Sequence, residues 1–156
     1  MKIAFCGNDC DLCPRYLATQ SDDKEQLRRV AEMWQRFGWR GATTLPEDMV
    51  CDGCIPADSR GCWCRYGIRE CALQKNVGTC GECQDYPCEK VLRAFQLTEV
   101  FANDIKQKCS EQEYEVLQRA FFSKKKNLDK TQEQHSSRMK EKSPNNAFHR
   151  TASRRR

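Results

Sequence analysis

Cys80-Gly81-Glu82-Cys83-Gln84-Asp85-Tyr86-Pro87-Cys88-Glu89-Lys90 places three cysteines within nine residues. A Cys-x2-Cys turn brings two sulfurs close enough to grip one ion and leaves backbone amides free to hydrogen-bond the thiolates. The same pair spacing recurs at Cys10/Cys13 and Cys51/Cys54, and Cys6, Cys62, Cys64, Cys71 and Cys88 lie between and beside the pairs. Gly53 and Gly81 sit inside two of the turns, where a tight turn calls for positive φ. One such pair is a weak signal. Three pairs and five further cysteines between residues 6 and 88 are a strong signal for soft-metal sites.

Composition agrees with a stapled fold. Of 156 residues, 12 are cysteine, and 11 of these fall in the 83 residues from Cys6 to Cys88. That density exceeds the roughly 8–10% that marks a cross-linked scaffold. Ile, Leu, Val and Phe together number 26 of 156, below the roughly one-fifth at which a packed apolar core becomes doubtful. A large barrel enzyme and a purely oil-like core are both excluded. The staple follows from the compartment. Met1-Lys2-Ile3-Ala4-Phe5-Cys6 offers an apolar run of four residues, too short for a secretory signal, and no run approaches the roughly 18 apolar residues of a membrane span. The expectation is a cytoplasmic chain, off the membrane, whose thiols stay reduced and bind metal rather than form disulfides.

Charge divides the chain. Ser123 to Arg156 carries 11 Lys/Arg against 3 Asp/Glu, whereas the rest carries 16 against 19. The basic segment has few apolar residues to offset its ordering entropy. It reads as a disordered tail from about Leu128, giving a cysteine-rich metal-binding domain over 1–122 and a basic disordered tail over 123–156.

Helices can be placed around the cysteine segments. Ser21-Asp22-Asp23-Lys24-Glu25 offers a capping oxygen and first-turn acids; Leu27, Val30, Ala31, Trp34 and Phe37 follow at helical spacing before Gly38. Pro87 suits a first helical position ahead of Val91, Leu92 and Phe95, and Leu97, Phe101 and Ile105 extend that face. Ser110-x-x-Glu113 is a capping box before Tyr114, Leu117 and Phe121. Only Lys2 to Phe5 could read as a strand. The predicted class is a small metal-stapled fold, mainly α with irregular Cys-rich loops and little or no sheet.

Cys13 precedes Pro14 and Cys88 follows Pro87, so both are predicted at helix N-termini, where the dipole favours thiolate. A helix over 65–75 would place Cys64, Ile68 and Cys71 on one face. Eleven clustered cysteines fill two closed four-sulfur sites and leave three over. Alternatively, Cys6, Cys10 and Cys13 form a three-sulfur site with an open position. That trio has the spacing of the cluster loop of radical S-adenosylmethionine enzymes, whose large barrel has no room here. Cys109 stands outside the cluster and reads as a buried thiol, and His135 and His149 both lie in the basic segment.

Cys6-Gly7-x-x-Cys10-x-x-Cys13-Pro14, Cys51-x-Gly53-Cys54, Cys62-x-Cys64, Ile68-Arg69-x-Cys71-Ala72 and Cys80-x-x-Cys83-x-x-Tyr86-Pro87-Cys88-Glu89-Lys90 together resemble a family of small cysteine-rich prokaryotic proteins. That family is classed only as a domain of unknown function. The resemblance covers about residues 3–95. It implies a cytoplasmic, metal-binding protein and supplies no catalytic residue.

The leading functional reading is a non-catalytic, zinc-type metal-binding module, with Cys6, Cys10, Cys13, Cys51, Cys54, Cys62, Cys64, Cys71, Cys80, Cys83 and Cys88 as ligands. An iron–sulfur or metal-thiolate redox protein is the alternative, because the same thiolates suit both. Nucleic-acid binding through the basic segment is a third reading, weakened by the acidic body and by Phe148 as that segment's one stacking aromatic. No His–acid pair, P-loop or dinucleotide glycine motif points to a more specific chemistry.

Overall fold

The computed structural model describes residues 2–55, 58–61 and 65–141. The fold is mainly helical: α1 (Pro14–Gln20), α2 (Lys24–Arg36), α3 (Ile68–Gln74), α4 (Glu89–Lys106), α5 (Glu111–Leu117) and α6 (Lys124–Glu141). Short 3-10 turns at Cys10–Leu12, Pro46–Met49, Arg65–Gly67 and Cys80–Glu82 link them. Sheet is absent among the described residues. Residues 2–5 contribute one antiparallel bridge, Ile3 to Asp9. No described helix is long and apolar enough to cross a membrane.

The sequence signals for α2 and α5 act as expected. The Asp23 carboxylate accepts from the Glu25 and Gln26 N–H groups, and Gly38 leaves the helical line at φ 74°. Leu27, Val30, Ala31 and Trp34 turn inward, and Ser110 and Glu113 close the box at the start of α5. These helices build one core with Phe37, Met49, Ile105 and Leu117. Trp34 meets Trp39 and Phe121 edge-on at centroid distances of 5.1 and 5.9 Å. A second core is partly made of sulfur: Cys6, Cys10 and Cys13 are buried with Ala4, Phe5, Tyr16, Ile68 and Ala72. A low aliphatic count thus still yields a core, because thiols behave as small apolar groups.

Two placements differ from the sequence reading. Pro87 stands before α4 rather than in it; Tyr86–Pro87 is cis, and Cys88 is the N-cap. The helix carrying Cys71 starts at Ile68, because Tyr66 and Gly67 both adopt φ 62° and break the line. No continuous helix therefore runs from 65, and Cys64 lies outside the described residues, as do Cys62, Trp63, Phe148 and His149.

The largest correction concerns the basic segment. Residues 124–141 are helical, and Leu128 is 0% exposed against Tyr86, Val91 and Phe95. One apolar anchor suffices because two glycines admit the helix. A Cβ on Gly7 would lie 2.6 Å from the Lys124 carbonyl, and one on Gly81 2.4 Å from the Leu128 carbonyl. Asn127 Nδ2 adds a 2.9 Å bond to the Gly7 carbonyl. Gly81 serves close approach, whereas Gly53 has the positive φ, 88°, expected of its turn. The expected disorder over 142–156 lies outside the described residues.

Candidate metal centre

Cys71, Cys80, Cys83 and Cys88 line one cavity of about 260 Å³. Three pieces of chain deliver them. Cys71 projects from α3. Cys80 and Cys83 flank a 3-10 turn in which the Cys83 N–H donates to the Cys80 carbonyl at 3.2 Å. Cys88 caps α4 in extended conformation. The Cys80 N–H donates to the Phe5 carbonyl at 3.0 Å, which pins the turn to the N-terminal loop. Lys75 and Asp85 form an ion pair at the cavity wall. Burial pushes the Cys80 thiol up to about 12, and Cys6, Cys88, Cys83 and Cys71 add to the rise. Ionisation of Cys80 is thus opposed first by burial, then by Cys6 outside the cavity lining and by the three other cavity sulfurs.

A second group gathers Cys10, Cys13 and Cys51. Cys10 and Cys13 bracket the first 3-10 turn, with the Cys13 N–H bonded to the Cys10 carbonyl at 3.1 Å. Cys51 arrives on the loop after Pro46–Met49, where its N–H donates to Thr19 Oγ1 at 2.9 Å. Burial pushes Cys10 up to about 12, reinforced by Cys13, Cys51 and Cys6. Cys13 rises to about 11, again through burial; the N–H groups of Tyr16 and Arg15 pull against the rise without reversing it. The helix-start argument for a favoured Cys13 thiolate is therefore overturned, because desolvation outweighs the amides.

Cys6 acts on both Cys10 and Cys80 and so stands between the two groups. Cys54 packs at the edge of the Cys6–Cys10–Cys13 core, its carbonyl accepting from Arg69 Nε at 3.0 Å. Cys109 is remote, with its Sγ donating to the Ile105 carbonyl at 3.2 Å. Cys10, Cys13, Cys51, Cys71, Cys80, Cys83, Cys88 and Cys109 carry free thiols. Among the described residues, no three Cys, His, Asp or Glu side chains are drawn together into a formed ion-binding group. The donor chemistry fits a soft metal, while binding would require the thiols to close in.

Sequence reasoning missed Arg15 and Lys2. Arg15 is 6% exposed, and its guanidinium reaches the carbonyls of Met49 and Val50 at 2.6 and 2.8 Å. Lys2 Nζ donates to the Tyr16 hydroxyl at 2.5 Å and lies near Cys10. Nothing local in the sequence marks either, since their partners are distant carbonyls and a phenol.

A family model described as "Protein of unknown function (DUF3795)" matches residues 2–93. No curated protein and no solved structure matches the chain. The match spans more than half of the chain and takes in both thiol groups, so the chain belongs to that family.

Proposed function

We propose that this member of the DUF3795 family is a non-catalytic, cytoplasmic metal-binding module in which Cys71, Cys80, Cys83 and Cys88 hold zinc. The observation that carries the reading is the convergence of four cysteines from three chain segments on one cavity. Zinc favours four-coordinate thiolate sites at about 2.3 Å from each sulfur. Closing the cavity to that distance requires the Cys80–Cys83 turn, the Cys88 cap and α3 to move together. Without a cation, burial and neighbouring sulfurs keep Cys80 protonated. A dication between the sulfurs reverses that balance, so binding releases protons and links metal to folding. The rest of the chain positions the donors: Phe5 holds the turn, and α6 covers it through Leu128.

The same thiols suit an iron–sulfur cluster, which is the alternative reading. Elemental analysis and an absorption spectrum of protein purified without air separate the two. Zinc with a colourless spectrum supports the module, whereas iron with acid-labile sulfide and a brown colour moves it to the redox class. Metal content left unchanged by Cys80→Ser and Cys83→Ser would sink the assignment of the site.

A further inference from the structure

We infer that α6 is a releasable clasp: it opens ahead of the rest of the fold, and its docking sets the reactivity of Cys80, Cys83 and Cys88. The inference concerns thiols of the proposed zinc site but does not rest on bound metal.

The clasp lies behind the thiols. The cavity is lined from α3, the Cys80–Cys83 turn and the start of α4, and α6 backs that turn. A Cβ on Gly81, between Cys80 and Cys83, would lie 2.4 Å from the Leu128 carbonyl and 3.0 Å from Thr131 Cβ. Leu128 completes an apolar cluster with Tyr86, and Cys80, Cys83 and Cys88 pack against that cluster. One leucine of α6 therefore shields three of the four cavity cysteines from the rear.

The hold on α6 is slight for its length. Its 18 residues bury Leu128, whereas the 13 residues of α2 bury Leu27, Val30, Ala31 and Trp34. Polar bonds supply much of the remaining grip. Asn127 Nδ2 donates to the Gly7 carbonyl at 2.9 Å, and the Tyr86 hydroxyl donates to Asp129 at 2.6 Å. Residues 136–141 are exposed throughout. Elements with few buried apolar contacts open at lower free energy than the core, and a polar helix freed from its body is marginal in water.

The body has its own anchors up to the start of the clasp. Ala120 is 1% exposed, and its carbonyl accepts from the Asp9 N–H at 2.9 Å. Phe121 and Phe122 pack against the Trp34 core. Ser123 alone links this fixed segment to α6. Release of α6 therefore leaves the α2 core intact and bares the hollow that Leu128 filled. The rear of Cys80, Cys83 and Cys88 then meets solvent, while Cys109, in the Trp34 core, keeps its cover.

Two measurements on the full chain as purified test the inference. Amide hydrogen exchange in the native chain should run about tenfold or more faster over residues 127–132 than over residues 27–34 of α2. Equal rates would overturn the claim that α6 opens first. A short pulse of iodoacetamide, read cysteine by cysteine by mass spectrometry, tests the thiols. Leu128→Ala should speed alkylation of Cys80, Cys83 and Cys88 about tenfold and leave Cys109 within about twofold, as for a local opening. Leu27→Ala, a truncation in the core that holds Cys109, should not give that pattern. An equal rise at all four cysteines in Leu128→Ala, no rise at Cys80 and Cys83, or the same pattern from Leu27→Ala would each overturn the clasp. Metal content of the same samples judges the zinc reading separately, so either claim can fail alone.

Discussion

The Tyr86 hydroxyl donates a 2.6 Å hydrogen bond to the Asp129 carboxylate. Tyr86 lines the four-thiol cavity, and Asp129 belongs to α6, beyond the residues of the family match. The bond ties the wall of the candidate metal site to a helix outside that match. Gln132 Nε2 reaches the Tyr86 carbonyl at 3.5 Å from the same helix. Docking of α6 and the shape of the cavity are therefore linked.

Leu128→Ala is expected to destabilise the fold by about 2–5 kcal/mol, the range for emptying a fully buried leucine site. Urea unfolding followed by far-ultraviolet circular dichroism measures it. A loss below about 0.5 kcal/mol, the size of an ordinary surface change, would mean that α6 does not dock as described.

Gly81→Ala should cost about 1–3 kcal/mol by overpacking, because its Cβ would meet the Leu128 backbone. Combined with Leu128→Ala, the two losses should fall short of their sum by 0.5 kcal/mol or more, as for sites sharing one contact. Full additivity would show that Gly81 does not seat α6.

The contrast between α2 and α6 explains what the sequence made legible. Asp23, Leu27, Val30, Ala31 and Trp34 signal α2 within one window, since cap and apolar stripe are local. In α6 a single residue, Leu128, is buried, so no stripe exists to read. Its partners, Gly7 and Gly81, lie far away in sequence and present an absence of side chain. The sulfur groups were half legible. Cys-x2-Cys spacing pairs Cys80 with Cys83 and Cys10 with Cys13, while Cys71 and Cys51 join them only through tertiary packing. The break before α3 rests on a positive φ at Tyr66, a residue type that gives no warning of it.

Acid should loosen α6. The Lys125 ammonium, and then the Tyr86 hydroxyl, hold the Asp129 carboxyl below its ordinary range. A carboxyl depressed in the folded state contributes stability that is fully present above the unfolded value. That stability is lost as pH falls through the lower folded one. Stability should thus be flat near neutrality and decline below about pH 4, where an unfolded aspartate titrates. At the other end, burial and then Asp129 raise Tyr86, so its contribution is lost as pH climbs past about 10. Asp129→Asn should flatten the acid limb, as measured by urea midpoints across pH. An unchanged acid limb in that variant would remove Asp129 from the account.

The cysteines should be unequal, and Cys109 is the control. Its thiol contacts the Ile105 carbonyl and packs beside the Trp34 core, away from both sulfur groups. Burial raises its pKa, so it remains a thiol. Cys109→Ala should keep full metal content and cost about 1–2 kcal/mol, as for a small core change. Cys83→Ala removes one of four donors at the cavity and should lower metal per chain by one equivalent, with a larger loss of stability because metal affinity is folding free energy there. Metal per chain, measured side by side in the two variants, decides the matter. Equal metal loss in both would bring Cys109 into a ligand set. The separation of Cys109 from the Cys80–Cys88 cavity would then not describe the metal-loaded protein.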